Sequence, residues 1–140
     1  MLHLELEAGD IGKLVKTARQ ITGIPELDKF SDFGFTSGGN LTFRQSFFLS
    51  TEVETSLSAD DAGSLLIDIE KLAGTPLLDW PLQLFLDKIT SIAAGSTSGV
   101  LVKTGRSQLK LDLAKILPVK AAVKKISIAG GKLAADIELG

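Results

Sequence analysis

The chain has 140 residues, 44% of them hydrophobic and 23% charged, and this composition excludes an intrinsically disordered protein. Its length is typical of one domain, so we expect a single domain over residues 1–140. The absence of cysteine excludes disulfides, thiolate metal sites and cysteine nucleophiles. The first residues lack the basic start and apolar run of a signal peptide, so a cytoplasmic, non-spanning protein is expected.

The net charge of −2 conceals an asymmetry along the chain. Residues 101–140 carry a balance of +5, and residues 1–100 a balance of −7. Such a split can mark a surface for anionic lipid, nucleic acid or an acidic partner. The alternative is that the two parts fold against each other and their charges interleave.

The first two elements are a strand and a helix. Leucines alternate with polar residues from Leu2 to Glu7, which predicts a half-buried strand. Asp10 is predicted to cap a helix that ends at Gly23 and Pro25. Its apolar face would consist of Ile11, Leu14, Val15, Ala18 and Ile21.

A long alternating pattern follows from Leu41 to Leu57. As one strand it would span about 56 Å, whereas a compact domain of this length is about 37 Å across. We therefore expect the strand to bend, to contain a bulge or to break, or else the molecule to be elongated.

Two successive helices are predicted next. The first would begin at Ser58, with Asp60 and Asp61 at its positive end, and finish at Gly74. The second would begin near Asp79. Together they would form a helical hairpin on a sheet.

Two β-hairpins are predicted to end the chain. Val100 and Val102 match Leu109 and Leu111 across a turn centred on Gly105–Arg106. A second hairpin turns at Gly130–Gly131, where Ile126 and Ile128 match Leu133 and Ala135. We therefore predict an α+β fold, with a curved antiparallel or mixed sheet and amphipathic helices packed on its concave face.

No catalytic constellation emerges from the sequence. His3 is the sole histidine, so neither a shared imidazole metal site nor a serine–histidine triad is supported. The glycine pairs do not lead into helices, as phosphate-binding loops require. The basic segment from residue 101 to the end of the chain contains no aromatic residue, which argues against stacking on nucleic acid. We expect no enzyme activity, metal, cofactor or nucleic-acid partner.

Two features remain as functional candidates. Three phenylalanines, Phe30, Phe33 and Phe35, lie in a glycine-rich segment that is predicted to be a loop. They would enter a bilayer, gate an apolar pocket or fill the bottom of the core. The many apolar faces would either fill each other completely or leave a cavity for an apolar ligand.

The segment Ser107–Leu139 combines a strand, a leucine-rich turn ending in Leu117–Pro118, and two strands joined by a glycine turn. In this pattern it resembles the closing segment of the LmeA-like phospholipid-binding family and of related proteins in the tubular lipid-binding superfamily. The resemblance covers about a quarter of the chain. It implies a highly curved sheet around a helix, an apolar lipid groove and no catalysis.

The leading hypothesis is a non-enzymatic module that binds lipid or another apolar ligand at an anionic membrane surface. The expected membrane contacts are Phe33 and Phe35, with attraction to phosphate from Lys120, Lys124 and Lys125. Ligand contacts are predicted for seven apolar residues: Phe43, Phe47, Leu49, Val100, Val102, Leu109 and Leu111. The alternative is an assembly protein that forms homo-oligomers, with the final strand Leu133–Leu139 as an unpaired edge.

Overall fold

The computed structural model describes residues 1–47, 50–72, 79–96, 99–115 and 120–140. The predicted contact residue Leu49, the helix end at Gly74 and the Leu117–Pro118 turn lie outside these ranges. The described elements are, in chain order, β1 (Leu2–Leu6), α1 (Ala8–Thr22), β2 (Phe30–Phe35), β3 (Leu41–Gln45), β4 (Thr51–Ala59), β5 (Leu65–Leu72), α2 (Asp79–Ser96), β6 (Leu101–Lys103), β7 (Gln108–Leu111), β8 (Ala121–Ala129) and β9 (Lys132–Leu139).

The strands form two sheets. A three-stranded sheet has the order β1-β9-β8, and a six-stranded sheet has the order β2-β3-β4-β5-β7-β6. Every pairing between these strands is antiparallel. The predicted α+β class is therefore confirmed.

The first strand and helix form where the sequence predicts them, but the helix begins earlier than Asp10. Glu7 is its N-cap and Asp10 is the third helical residue; the two side chains bond reciprocally to each other's backbone. The Glu7 N–H donates to Asp10 Oδ2 at 2.9 Å. Asp10 thus stabilises the helix start through this reciprocal pair, and the prediction that it is the cap was wrong.

The long pattern from Leu41 breaks into the hairpin β3–β4. Gln45 lies at the break, and its side chain is fully buried. Its Nε2 donates to Thr51 Oγ1 at 2.6 Å, and its Oε1 accepts the Phe47 N–H at 2.9 Å. The Gln45 side chain thus bonds both to the start of the connection and to β4, which favours the reversal over a continuous strand.

The helix predicted from Ser58 to Gly74 is wrong. A tight turn follows β4, in which the Ser64 N–H donates to Asp60 Oδ1 at 2.8 Å. β5 then occupies the interior of the six-stranded sheet between β4 and β7. The apolar residues of β5 fit both a helical and an alternating period. Hydrogen bonding to a neighbouring strand on each side favours the strand. Within the described residues the two predicted helices do not form a hairpin, because only the second of them, α2, is present.

The two C-terminal hairpins form, but the first has a different register. Leu101 lies opposite Leu111, so Val102 faces away from Leu109 and Leu111. Thr104 and Gln108 hold this register, because the Thr104 N–H donates to the Gln108 carbonyl at 3.0 Å and Thr104 Oγ1 donates to Gln108 Oε1 at 2.9 Å. The second hairpin is confirmed as predicted, with Ile128 opposite Leu133 across Gly130–Gly131.

β9 lies at the centre of the three-stranded sheet, between β1 and β8. The prediction that Leu133–Leu139 is an unpaired edge is therefore wrong. Both of its backbone edges are already hydrogen-bonded within the chain, so β9 cannot pair with another subunit.

Two apolar clusters hold the sheets and helices together. The first lies between α2 and the six-stranded sheet, and its fully buried residues are Val53, Leu82, Phe85 and Leu86. The second joins the three-stranded sheet to α1 and to β2, β3 and β4, and it centres on Ile128, Leu133 and Ala135.

Candidate functional site

A partly enclosed groove lies between α1, the turn that follows it, and β2. Its volume is about 370 Å³, and the apolar side chains that line it are Val15, Leu27, Phe30 and Phe33. All four are half-buried. Ligand sites in proteins are usually apolar concavities of roughly 300–1,000 Å³ with a few polar groups, so this groove lies at the small end of that range.

The chain segment after α1 forms one wall of the groove. Pro25–Lys29 is a single 3-10 turn with proline at its first position, where the missing N–H has no helical partner to lose. Arg19 on α1 donates through Nε to Asp28 Oδ2 at 3.2 Å. This contact ties the turn to α1 and places Leu27 beside the groove.

A bulge in β2 forms the opposite wall. The pairing with β3 shifts between Ser31 and Gly34, and Asp32 has φ of 55°. Asp tolerates this left-handed conformation better than most residues. Bulges re-aim side chains, and here Phe33 contacts α1, where a Cβ at Gly12 would lie 3.6 Å from its ring.

Aromatic rings form the floor of the groove and continue into the core. Phe30 packs edge-on against Phe43 and Phe47, with ring centroids 5.6 and 5.2 Å apart. Phe33 lies 6.0 Å from Phe43, which in turn lies 6.5 Å from Phe85 on α2. The segment predicted to be a loop is thus a strand whose phenylalanines line a pocket and also fill the core.

Of the predicted ligand-contact residues that the structure describes, Phe43, Phe47 and Leu109 belong to the first apolar cluster. Val100 and Leu109 are buried, and Phe43 and Phe47 are half-buried behind the groove floor. Leu111 is half-buried on β7. Val102 lines a second hollow of about 410 Å³ between α2 and β6, which is more open to solvent. Ligand contact by these residues stays a prediction.

The predicted membrane-contact residues are divided between surface and interior. Lys120, Lys124 and Lys125 are exposed, and Lys124 lies 3.4 Å from Glu138. Phe35 is half-buried in the second apolar cluster, and Phe33 lines the groove. Membrane contact by these five residues remains untested.

The electrostatic environment of His3 is set by two carboxylates. Its Nδ1 lies 2.6 Å from Asp136 Oδ1, and its Nε2 lies 3.5 Å from Glu5 Oε1. These hydrogen bonds, first with Asp136 and then with Glu5, raise the pKa of His3 above 6.5. Among the described residues, no group of three or more His, Asp or Glu side chains is placed to hold a metal ion.

Sequence reasoning missed the five groove residues that precede Phe30: Gly12, Val15, Lys16, Leu27 and Asp28. Val15 was expected on the buried face of α1, but that helix has no fully buried residue. One signal was available in Gly12, because a glycine one turn before Lys16 opens space on that face of the helix for a neighbouring side chain. Leu27 follows a turn that the hydrophobic periodicity does not reveal.

No protein-family model, curated protein or solved structure matches the chain. Among the described residues, neither helix is long and apolar enough to cross a membrane.

Proposed function

We propose that the protein is a non-enzymatic module that binds a lipid acyl chain, or an apolar ligand of similar width, in the groove between α1 and β2. The observation that carries the proposal is the set of four apolar side chains around a partly enclosed space of about 370 Å³. Burial contributes about 0.8 kcal/mol per methylene, so four buried methylenes would supply about 3 kcal/mol.

The rim of the groove favours a ligand with a polar end. Lys16 lies on the α1 side, and Asp28 and Asp32 lie on the other. Asp28 already forms an ion pair with Arg19 at 3.2 Å. Lys16 carries the positive charge at the rim, and it would attract a carboxylate or phosphate.

The packing of α1 supports a groove that admits a ligand. No residue of α1 is fully buried, and Leu14 and Ile21 are 55% and 79% exposed. An element with few buried apolar contacts opens at low free-energy cost. We therefore propose that α1 moves slightly away from β2 when an acyl chain enters.

A curved sheet and contact with an anionic membrane belong to the same proposal. Bulges in β2, β5 and β8 support curvature, because each bulge bends its strand. Lys120, Lys124 and Lys125 would attract anionic lipid, at about 1 kcal/mol for each charge near such a surface.

The proposal can be tested with a larger side chain on α1 that fills the groove. In Gly12→Leu the new side chain would enter the space beside Phe33, and we expect affinity for cis-parinaric acid, a fluorescent fatty acid, to fall by at least about tenfold, or 1.4 kcal/mol. Gly9→Leu is the matched control, because a Cβ at Gly9 meets nothing within 4 Å. Both changes should raise helix stability by up to about 1 kcal/mol.

Saturable binding by the parent and by Gly9→Leu, with loss in Gly12→Leu, would support the groove. Equal binding by both variants, or no binding by the parent, would refute it. Thermal unfolding of the same samples shows whether each variant is folded, so that a loss of binding can be assigned to the groove.

A further inference from the structure

β1 has a free backbone edge on one side. It is a terminal strand of the three-stranded sheet and, within the described part of the chain, pairs with β9 alone. Unpaired edge groups form a template for another strand unless charge, proline or a covering segment blocks them. The sequence of β1, Leu-His-Leu-Glu-Leu, contains no proline.

The apolar face of β1 is incompletely covered. Leu6 packs in the second apolar cluster together with Ile11 of α1. Leu2 and Leu4 lie on the same face of the strand but remain 43% and 37% exposed. Partner contacts along this edge would remove the two leucine side chains from water.

We infer that β1 pairs antiparallel with β1 of a second copy of this chain, about a twofold axis that passes beside Leu4. The two three-stranded sheets then become one six-stranded sheet. A twofold interface requires a self-complementary surface. This inference concerns the β1 edge and does not rest on ligand binding in the groove.

Charge complementarity selects this register. With Leu4 opposite Leu4 of the second copy, each His3 faces a Glu5 and each Leu2 faces a Leu6. A twofold axis at His3 would place the two histidines opposite each other, and one at Glu5 would place the two carboxylates opposite each other. Like charges at directly opposite positions are destabilising, whereas opposite charges and apolar pairs each contribute roughly 0.2–1 kcal/mol.

The side chains around His3 and Glu5 are compatible with this pairing of two β1 strands. On the polar face, His3 already contacts Asp136 at 2.6 Å and Glu5 at 3.5 Å within its own chain, and Lys132 lies 3.9 Å from Glu5. The histidine would lie between carboxylates of two chains. Because five-residue strands bury less area than a standard interface of about 1,600 Å², we expect a weak dimer whose population rises with concentration.

The register can be tested with a single cysteine, since the chain has none. In Leu4→Cys the two sulfurs would lie at directly opposite positions, where Cβ atoms are about 4.5–5.5 Å apart, close to the spacing of a disulfide. Under a glutathione redox buffer we expect about tenfold more covalent dimer than in Leu84→Cys, because the two sulfurs introduced by Leu84→Cys in this dimer would be too far apart to form a disulfide. Leu84 is 49% exposed on α2 and serves as the matched control.

Sedimentation velocity over a range of concentrations provides an independent measurement. Leu4→Lys places two ammonium groups opposite each other and should weaken self-association at least about tenfold, whereas Leu84→Lys should sediment like the parent. A parent that is monomeric at every concentration, or cysteine variants that cross-link equally, would overturn the inference. A dimer that Leu4→Lys leaves intact would also overturn it, because another surface would then form the contact.

Discussion

Asp136 lies directly opposite His3 in the three-stranded sheet, although 133 positions separate the two residues in the chain. Their contact raises the pKa of His3, since the carboxylate stabilises the protonated imidazole. A raised pKa in the folded state makes protonation of His3 favour folding. This contribution is fully present below pH 6.5, the ordinary pKa, and is lost as the pH rises through the folded pKa.

The predicted effect of Asp136→Asn is a fall in the pKa of His3 towards 6.5, because the principal carboxylate partner is removed. NMR titration of the imidazole protons measures it directly. Glu138→Gln is the control, since Glu138 pairs with Lys124 rather than with His3. A His3 pKa that is unchanged by Asp136→Asn would contradict the assigned cause.

At the scale of elements, the contact between the β4–β5 turn and β8 joins the two sheets. The Val123 N–H donates to the Gly63 carbonyl at 2.7 Å. A Cβ at Gly63 would lie 2.9 Å from Ala122 Cα, and Gly63 has φ of 86°. Glycine is needed here both for its backbone conformation and for the close approach of the two chain segments.

We predict that Gly63→Ala destabilises the protein by about 2–4 kcal/mol, combining about 1 kcal/mol of backbone strain with roughly 1–3 kcal/mol of overpacking. Gly130→Ala separates the two contributions, because Gly130 has φ of 60° but a Cβ there meets nothing within 4 Å. Its cost should be limited to the strain. Urea denaturation of both variants provides the comparison, and equal losses of stability would show that the contact with Ala122 is unimportant.

At the scale of the whole molecule, the fold brings the acidic and basic parts of the chain into one sheet. β1 pairs with β9, and Lys132 from the basic part lies 3.9 Å from Glu5 in the acidic part. Lys124 pairs with Glu138 within the basic part. The charges therefore interleave on this sheet, while Lys125 on β8 and Lys120 just before it remain exposed.

The membrane part of the proposal predicts that a Lys120→Glu, Lys124→Glu, Lys125→Glu variant loses about 100-fold in partitioning to anionic liposomes. Removing three attractions of about 1 kcal/mol each accounts for this loss. The control changes three other exposed lysines, Lys13, Lys71 and Lys88, to glutamate, which alters the net charge equally. Co-sedimentation with vesicles measures both. Similar losses in the two variants would indicate an effect of net charge alone, and no loss in either would remove membrane attraction from the proposal.

Local sequence patterns were sufficient to predict the elements whose structure depends mainly on their own residues. The alternation in β1, the helical spacing in α2 and the Gly130–Gly131 turn each predicted the element that forms. Side-chain period and turn conformation are local properties, so they can be recognised without knowing the neighbours. The aromatic segment from Phe30 to Phe35 was identified as a candidate site for the same reason, although its bulged strand was not.

The sequence by itself determined the α+β class, the alternating faces of β1 and the hairpin turn at Gly130–Gly131. Only the tertiary structure decided that β5 is a strand, that Thr104 bonds to Gln108 in the observed β6–β7 register, and that β9 is a central strand whereas β1 is a terminal one. The groove also depends on tertiary structure, because Val15, Leu27 and Phe33 come from three different elements. The physical reason is shared: each feature depends on which segments meet across a sheet, and hydrophobic periodicity identifies a buried face without identifying what covers it.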